Sequence, residues 1–405
     1  MTQVCSNTVS IPQRDGLRHT IVRQFTPNWF AATMGTGMLA LDLNQLPGGG
    51  AFAHQVATGL WVLNIGLFTL FAGLYALHWV LFPHEAKRVF GHSVMSMFFG
   101  TIPMGLSTII NGFMAFGLPI MGQVAVPIAT SLWWVDVVLS VIIGIGVPFL
   151  MMTRQDHVME KMTAVWLLPV SAAEVAAASG AQIIPHLANP QSAMHMEIIS
   201  YALWAFSVPV ALSIVVILLL RLVLHRLPSS DLAPSSWLVL GPISTGALGL
   251  LLLGADAHRA LAPLHIAGLG AVAHGVGLLG GVILWGYGVW WLAFAVLATL
   301  CYVRGGSTCS VGGGMAFNLG WWGFTFPLGV YTAATYALAA QTNFEFFRTA
   351  AIIMTLSLAT FWAIVAARTV RGAFNQSLFV SPCLLHGAIP NDALLADEVL
   401  ASDMV

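Results

Sequence analysis

Charged side chains are scarce in this sequence. Asp, Glu, Lys and Arg make up 7% of its 405 residues, whereas hydrophobic residues make up 58% and the mean hydropathy is +0.86. Soluble domains carry about 25% charged residues. Because so few charges cannot solvate the surface of a chain this long, a soluble globule is excluded and most of the surface must face a lipid bilayer. The net charge of −1 gives no general attraction to nucleic acid, so no nucleic-acid partner is expected.

Cysteine is also rare, and histidine is not placed to hold a cofactor. The four cysteines lack the spacing of a zinc site or of a disulfide framework: Cys5, Cys301, Cys309 and Cys383. Most of the thirteen histidines fall near the ends of apolar segments or between them, and no pair lies where two helices could ligate haem. We therefore expect no metal and no cofactor, and a haem or quinol oxidoreductase is the weakest of the alternative functions.

Ten apolar segments are long enough to cross the hydrocarbon as helices, which takes about 20 residues each. The polar N-terminus lacks the apolar core of a cleavable signal, so the first segment is expected to be a span of the mature protein. The prediction is a membrane domain at 23–371 between tails at 1–22 and 372–405. The spans lie at about 27–46, 54–82, 92–116, 124–152, 163–186, 195–225, 235–254, 267–303, 316–340 and 346–371.

The positions of Lys and Arg predict the orientation. Twelve of the fourteen fall on the side of the N-terminus, and only Arg259 and Arg348 fall on the other. Since cytoplasmic loops carry the excess of positive residues, both termini are expected in the cytoplasm. We expect a membrane of the bacterial inner (plasma) membrane type.

The odd-numbered spans share a weak point. The first contains glycines within Thr33–Gly37, and the others contain a proline next to glycines or hydroxyls. Proline removes a backbone hydrogen bond, and in lipid the freed groups must be buried in protein or line a wet cavity. Five such helices predict an inner ring around one pore, although prolines also simply kink packed helices. The predicted pore-lining residues are Gly35, Gly37, Thr101, Pro103, Pro169, Ser171, Pro242, Ser244, Thr245, Thr325 and Pro327.

No Lys or Arg occupies the middle of any predicted span. This absence disfavours tight binding of a dianion and favours weak handling of anions by helix dipoles and hydroxyl donors. Weak binding at several sites is what fast permeation requires. At the cytoplasmic side, Arg23, Lys87 and Arg88 are the predicted entrance, where positive charge would raise the local anion concentration.

Asp42, Asp136 and Glu174 lie within the predicted spans. Ionisable groups inside a membrane are costly and are often functional. Asp136 and Glu174 are therefore candidates for proton coupling. The alternative is that each acid is neutral or hydrogen-bonded between helices and only shapes the packing.

Several motifs in order carry a resemblance to a known family. The chain resembles the tellurite-resistance/dicarboxylate transporter family, which includes slow anion channels, malic acid transporters and sulfite efflux pumps. The resemblance covers roughly residues 23–371. It rests on RQFTPNWFAATMGTGML, FFGTIPMGLSTIING, SLWWVDVVLSVIIGIG, WLLPVSAAEVAAASG, GPISTGALGLLLLG and FNLGWWGFTFPLGVYT.

The resemblance implies five helical hairpins in a pseudo-five-fold arrangement around a central pore, assembled as a homotrimer. It also implies that Phe326, next to Pro327 in the ninth span, is the gate. The motifs are most similar to those of sulfite efflux pumps, so sulfite efflux is the expected function. Two alternatives within transport stay open: proton-coupled movement of malate or another C4-dicarboxylate, and a passive chloride or nitrate channel. An enzyme is not expected.

Overall fold

The computed structural model describes residues 21–304 and 314–379. Within these two ranges no strand occurs, which confirms the predicted all-α class. The α-helices of twelve residues or more are numbered here in chain order. They are α1 (Ala31–Asn44), α2 (Gly50–Leu81), α3 (Thr101–Gly112), α4 (Ala125–Thr153), α5 (Leu167–Ile183), α6 (Pro190–His225), α7 (Leu240–Ala260), α8 (Leu269–Arg304), α9 (Phe326–Thr342) and α10 (Glu345–Phe374).

Seven helical segments are long and apolar enough to cross a membrane, so the chain is an integral membrane protein. Helices α1 and α9, with 14 and 17 residues, are shorter than these seven, and α3 and α4 fall together in one of them. The count of ten spans therefore stays a prediction. The seven segments are Gly50–Leu81, Met95–Thr153, Ala164–His186, Pro190–His225, Ser230–Ala260, Leu269–Arg304 and Glu345–Phe374.

Burial separates the odd helices from the even ones. In the most apolar part of each segment, 94% of residues are buried around α5 and 83% around α7, against 17% in α2 and 28% in α8. Most residues of α1 and α9 are buried as well. Helices that expose apolar side chains on several faces are suited to contact with lipid, whereas α1, α5, α7 and α9 lie inside.

The odd helices form a closed ring of contacts. Helix α1 packs against α3, α3 against α5, α5 against α7, α7 against α9, and α9 against α1. Each odd helix also packs against the even helix that follows it. Small residues allow the close approach: a methyl group at Gly100, just before α3, would lie only 2.9 Å from the backbone nitrogen of Pro169.

The odd helices begin in a common way. Stretches of 3₁₀-helix precede α1, α3, α5 and α9, and a short α-helical turn, Ser235–Leu238, precedes α7. The four prolines predicted to open these helices instead occupy the second or third α-helical position, where a missing N–H costs little. The change of geometry thus lies at the helix start. The prolines are Pro103, Pro169, Pro242 and Pro327.

The predicted tails, 1–22 and 372–405, lie largely outside the described residues. Helix α10 continues to Phe374, beyond the predicted boundary at 371. Cys301, near the end of α8, takes part in a disulfide bond that the cysteine spacing did not indicate.

Candidate functional site

A cavity of about 330 Å³, called the vestibule here, opens at the end of the bundle where the odd helices begin. Each of the five odd helices, or the turn before it, contributes to its wall. One lining residue from each is, in chain order, Asn28, Thr101, Leu168, Leu238 and Phe326. The vestibule is thus the place where the starts of all five buried helices meet.

A second cavity, called the inner cavity, holds only about 20 Å³, which is room for roughly one water molecule. Four residues line both cavities and so stand between them: Leu168, Leu238, Phe326 and Pro327. The side chain of Phe326 is only 4% exposed. An apolar constriction therefore separates the vestibule from the inner cavity. The other residues around the inner cavity are Met104, Leu167, Ser171, Val175, Gly241, Pro242 and Thr245.

Phe326 is held in place by the turn that precedes it. It is the first residue of α9, directly after Thr325, whose Oγ1 donates a hydrogen bond to the carbonyl oxygen of Trp322 at 2.8 Å. Thr325 packs against Gly35 on α1, where an added methyl group would lie 2.9 Å from the Thr325 Cβ. The position of the Phe326 ring thus depends on the close approach of α1 and α9.

The predicted pore-lining residues fall into two groups. Thr101, Ser171, Pro242, Thr245 and Pro327 line the vestibule or the inner cavity. The others belong to the walls behind the cavities. Gly37, for example, meets α2, because a methyl group there would lie 2.7 Å from Asn64 Nδ2. The residues that line neither cavity are Gly35, Gly37, Pro103, Pro169, Ser244 and Thr325.

The hydroxyls expected to serve as anion donors are mostly engaged. Thr101 Oγ1 donates to the carbonyl oxygen of Phe98 at 2.7 Å, and Thr245 Oγ1 donates to that of Gly241 at 2.9 Å. Ser244 and Thr325 also donate within their own segments. Ser171 Oγ, in contrast, has no hydrogen-bond partner among the described residues. Of the predicted donors, Ser171 is therefore the one whose hydroxyl is not bonded to a backbone carbonyl.

The predicted entrance cations do not line the vestibule. Arg23 forms an ion pair with Glu85, with 2.7 Å between Nη2 and Oε1. Lys87 and Arg88 are exposed on the short helix Pro83–Arg88. None of the described residues around the vestibule is a Lys or Arg. One of the lining residues, Asp231, is acidic.

Arg368, on α10, lies against two aromatic rings, one of which lines the vestibule. Its guanidinium carbon lies 4.8 Å from the Trp321 ring centroid and 6.0 Å from that of Phe317, and Phe317 lines the vestibule. Stacking on aromatic faces holds a guanidinium in place while leaving it charged. From the sequence, Arg368 contributes only to the predicted orientation. A single sequence does not show that Arg368 lies next to Phe317 and Trp321, because these residues belong to another segment.

Comparison with known proteins identifies the family. The family model described as voltage-dependent anion channel matches residues 24–370. The chain belongs to this family. It is therefore an anion transporter.

Three relatives of this anion channel family member carry different names. The sulfite efflux pump of Trichophyton rubrum is 36% identical over 88% of this chain and 93% of its own length. An uncharacterized transporter of Methanocaldococcus jannaschii is 26% identical over 89% and 96%. The malic acid transport protein of Schizosaccharomyces pombe is 21% identical over 91% and 82%. These proteins are fungal and archaeal, so they give no support for a bacterial inner membrane.

The two acids predicted to couple protons have different surroundings. Asp136 on α4 is fully buried, and one of its oxygens accepts a hydrogen bond from Ser107 Oγ at 2.5 Å. Glu174 on α5 is also fully buried, and neither oxygen has a hydrogen-bond partner by geometry in the described part of the chain. The hydroxyls of Ser171 and Ser207 lie next to it. Since Ser171 lines the inner cavity one helical turn away, Glu174 lies close to the inner cavity.

A fourth buried acid was not among the predicted site residues. Glu197, near the start of α6, has no exposed surface, and no hydrogen-bond partner for either oxygen is found within residues 21–304 and 314–379. Asp256 on α7 lies close enough to act on its charge. Glu197 is the third residue of the predicted span 195–225. Its place inside a predicted span was the feature of the sequence that could have identified it as a buried acid.

Proposed function

We propose that this protein exports sulfite along a central route that leads from the vestibule past Phe326. The observation that supports the proposal most is the 36% identity to a sulfite efflux pump over 93% of that protein's length. The apolar constriction at Phe326 fits an anion route that is closed in this conformation. Phe326 is then the gate, because moving its ring would join the two cavities.

The proposal includes ten membrane-spanning helices arranged as five hairpins with pseudo-five-fold symmetry. Its support is the closed circuit of contacts through α1, α3, α5, α7 and α9, each paired with the next helix. Helix α1 gains length from the 3₁₀ stretch Pro27–Phe30, and α9 from Leu319–Phe324. With those extensions both come close to the hydrocarbon thickness. A homotrimer is part of the proposal.

Helix starts supply the attraction for the anion in this mechanism. The N-terminal end of a helix carries partial positive charge and unsatisfied amide groups. Five buried helices begin at the vestibule, and no positive side chain from the described residues lines it. An anion is thus drawn in by many weak dipoles, which suits release as well as binding. Ser171, whose hydroxyl is not bonded to a backbone carbonyl, offers the next contact beyond the gate.

The excess of Lys and Arg on one side favours an orientation with both termini in the cytoplasm. In the proposal the vestibule faces the cytoplasm and the membrane is the plasma membrane. Sulfite then leaves the cell by entering the vestibule first. Arg23, Lys87 and Arg88 on the same face contribute at most a diffuse field, since Arg23 is paired with Glu85 and the other two are solvent-exposed.

A second candidate is proton-coupled transport of malate or another C4-dicarboxylate. It is favoured by Glu174, a buried carboxyl group one turn from the inner cavity, and by the similarity to a malic acid transport protein. An acid beside the route can bind a proton when an anion passes and release it afterwards. Asp136 is the alternative coupling residue, although its bond to Ser107 ties it to the packing of α3 and α4.

Anion flux into liposomes that hold the purified protein tests these proposals. Radiolabelled sulfite and malate, with chloride and nitrate for comparison, are followed with and without a pH gradient, against protein-free liposomes. Sulfite flux faster than that of the other anions is the expected result. Malate flux driven by the gradient would establish the second candidate instead. Chloride or nitrate flux that ignores pH would make the protein a passive channel.

A further inference from the structure

The chain reverses direction after the last helix. Helix α10 ends at Phe374, and Gln376 has a φ of 62°, in the left-handed region that turns a chain at a helix end. The backbone N–H of Leu378 then donates to the carbonyl oxygen of Gly372 at 3.4 Å. Residues 375–379, called the strap here, therefore fold back toward the bundle.

The strap reaches the vestibule. Ser377 and Leu378 form part of the vestibule wall. Leu378 also lies on Gly372, where a methyl group would come within 2.7 Å of its Cδ1. Gly372 thus provides the space that lets the strap lie flat on the end of α10.

Phe379 connects the strap to the N-terminal end of the membrane domain. Its ring stacks on that of Trp29, with centroids 4.9 Å apart and an angle of 20° between planes. Trp29 belongs to the turn before α1 and is buried. The strap therefore connects the end of α10 to the start of α1, next to the rim of the vestibule.

The contacts of the strap are few and weak. Leu378 and Phe379 are only partly buried, and the preceding residues Asn375–Ser377 are exposed. Such a segment can open at a lower free energy than the helices that it covers. Its apolar side chain Leu378 also puts hydrocarbon into the wall of a cavity that an anion has to enter.

We propose that the strap is an autoinhibitory lid on the vestibule, held by the Phe379–Trp29 stack and by Leu378, and that anions pass freely only when it is displaced. The inference rests on the proposed function, since it concerns access to the same route. It assigns to the strap a role that the gate residue does not have: Phe326 closes the inside of the route, and the strap restricts its mouth.

The test is anion flux in liposomes for the full chain with Leu378→Ala and Phe379→Ala combined. Loss of one stacked ring and one apolar contact is expected to raise the initial rate about tenfold by shifting the strap toward its open form. Phe374→Ala is the matched control, because Phe374 is 85% exposed just before the strap. Its flux should equal that of the unaltered protein. The variants are compared at equal amounts of folded protein, measured by gel filtration before reconstitution.

A second measurement separates this inference from the proposed function. Phe326→Ala is prepared alone and together with the two strap changes. Flux through Phe326→Ala shows that the route works, and a further rise on adding the strap changes supports two barriers in series. If Phe326→Ala conducts but the strap changes add nothing, in this variant and in the unaltered chain, the strap proposal is wrong. If no variant conducts any anion, the proposed function itself fails.

Discussion

Gly35 on α1 and Thr325 before α9 lie so close that a larger residue has no room at position 35. A methyl group at Gly35 would stand 2.9 Å from the Thr325 Cβ and closer still to its Oγ1. Thr325 immediately precedes Phe326, so this contact fixes where the ring of the proposed gate begins. The contact also closes the circuit of odd helices, because it joins the first to the last.

Gly35→Ala is expected to destabilise the protein by about 1–3 kcal/mol, because an extra methyl group in a close-packed interior forces its neighbours apart. The free energy is obtained from unfolding in detergent. Gly66→Ala is the control, since Gly66 on α2 has no atom near its missing side chain. Equal stability of the two variants would contradict the packing role of Gly35.

Phe326→Ala is expected to raise anion flux about tenfold or more, because the ring is the largest side chain shared by the walls of the vestibule and the inner cavity. The measurement is the initial rate of uptake into liposomes.

Phe324→Ala is the matched control for the gate. Phe324 is a buried phenylalanine of the same segment that packs against Trp237, with ring centroids 5.6 Å apart, and it lines neither cavity. Its loss should lower stability without raising flux. A Phe326→Ala protein that is well folded and conducts no better than the unaltered chain would contradict the assignment of Phe326 as the gate.

The sequence was sufficient for the class and for the order of the helices. Long apolar segments predicted an all-α membrane protein, and the predicted span 195–225 compares with α6 at Pro190–His225. The repeated prolines singled out the odd helices, which turned out to be the buried set. These features are readable because apolar composition and proline act locally on one helix at a time.

The contacts between helices were not predictable in the same way. Gly35 and Gly37 looked like weak points of a pore helix, yet each makes room for a neighbouring segment. Thr101 looked like an anion donor, but its hydroxyl bonds to a carbonyl of the preceding turn, which threonine commonly does in helices. Such choices depend on which side chain lies across the interface, and a single sequence does not contain that information.

Glu174→Gln is expected to abolish the effect of a pH gradient on malate or sulfite flux, if transport is coupled to protons. Glutamine keeps the size of the side chain but cannot take up or release the proton. Asp136→Asn is expected to keep the gradient effect, because an amide oxygen can still accept the hydrogen bond from Ser107. The ratio of flux with and without the gradient is measured for both. A gradient effect that survives in Glu174→Gln and disappears in Asp136→Asn would reverse the assignment.

Arg368→Gln is expected to raise the KM for the anion about two- to threefold at low ionic strength and to leave kcat unchanged. The reason is that a guanidinium near the vestibule wall attracts anions without binding them. The difference should vanish near 1 M salt, where the screening length falls to about 3 Å. Arg348→Gln serves as the control. Arg348 lies at the start of α10, far along the helix from Arg368, and pairs with Glu345 at 3.3 Å. A KM change that is the same in both variants, or that persists in high salt, would show that Arg368 supports the aromatic packing of Trp321 and does not steer anions.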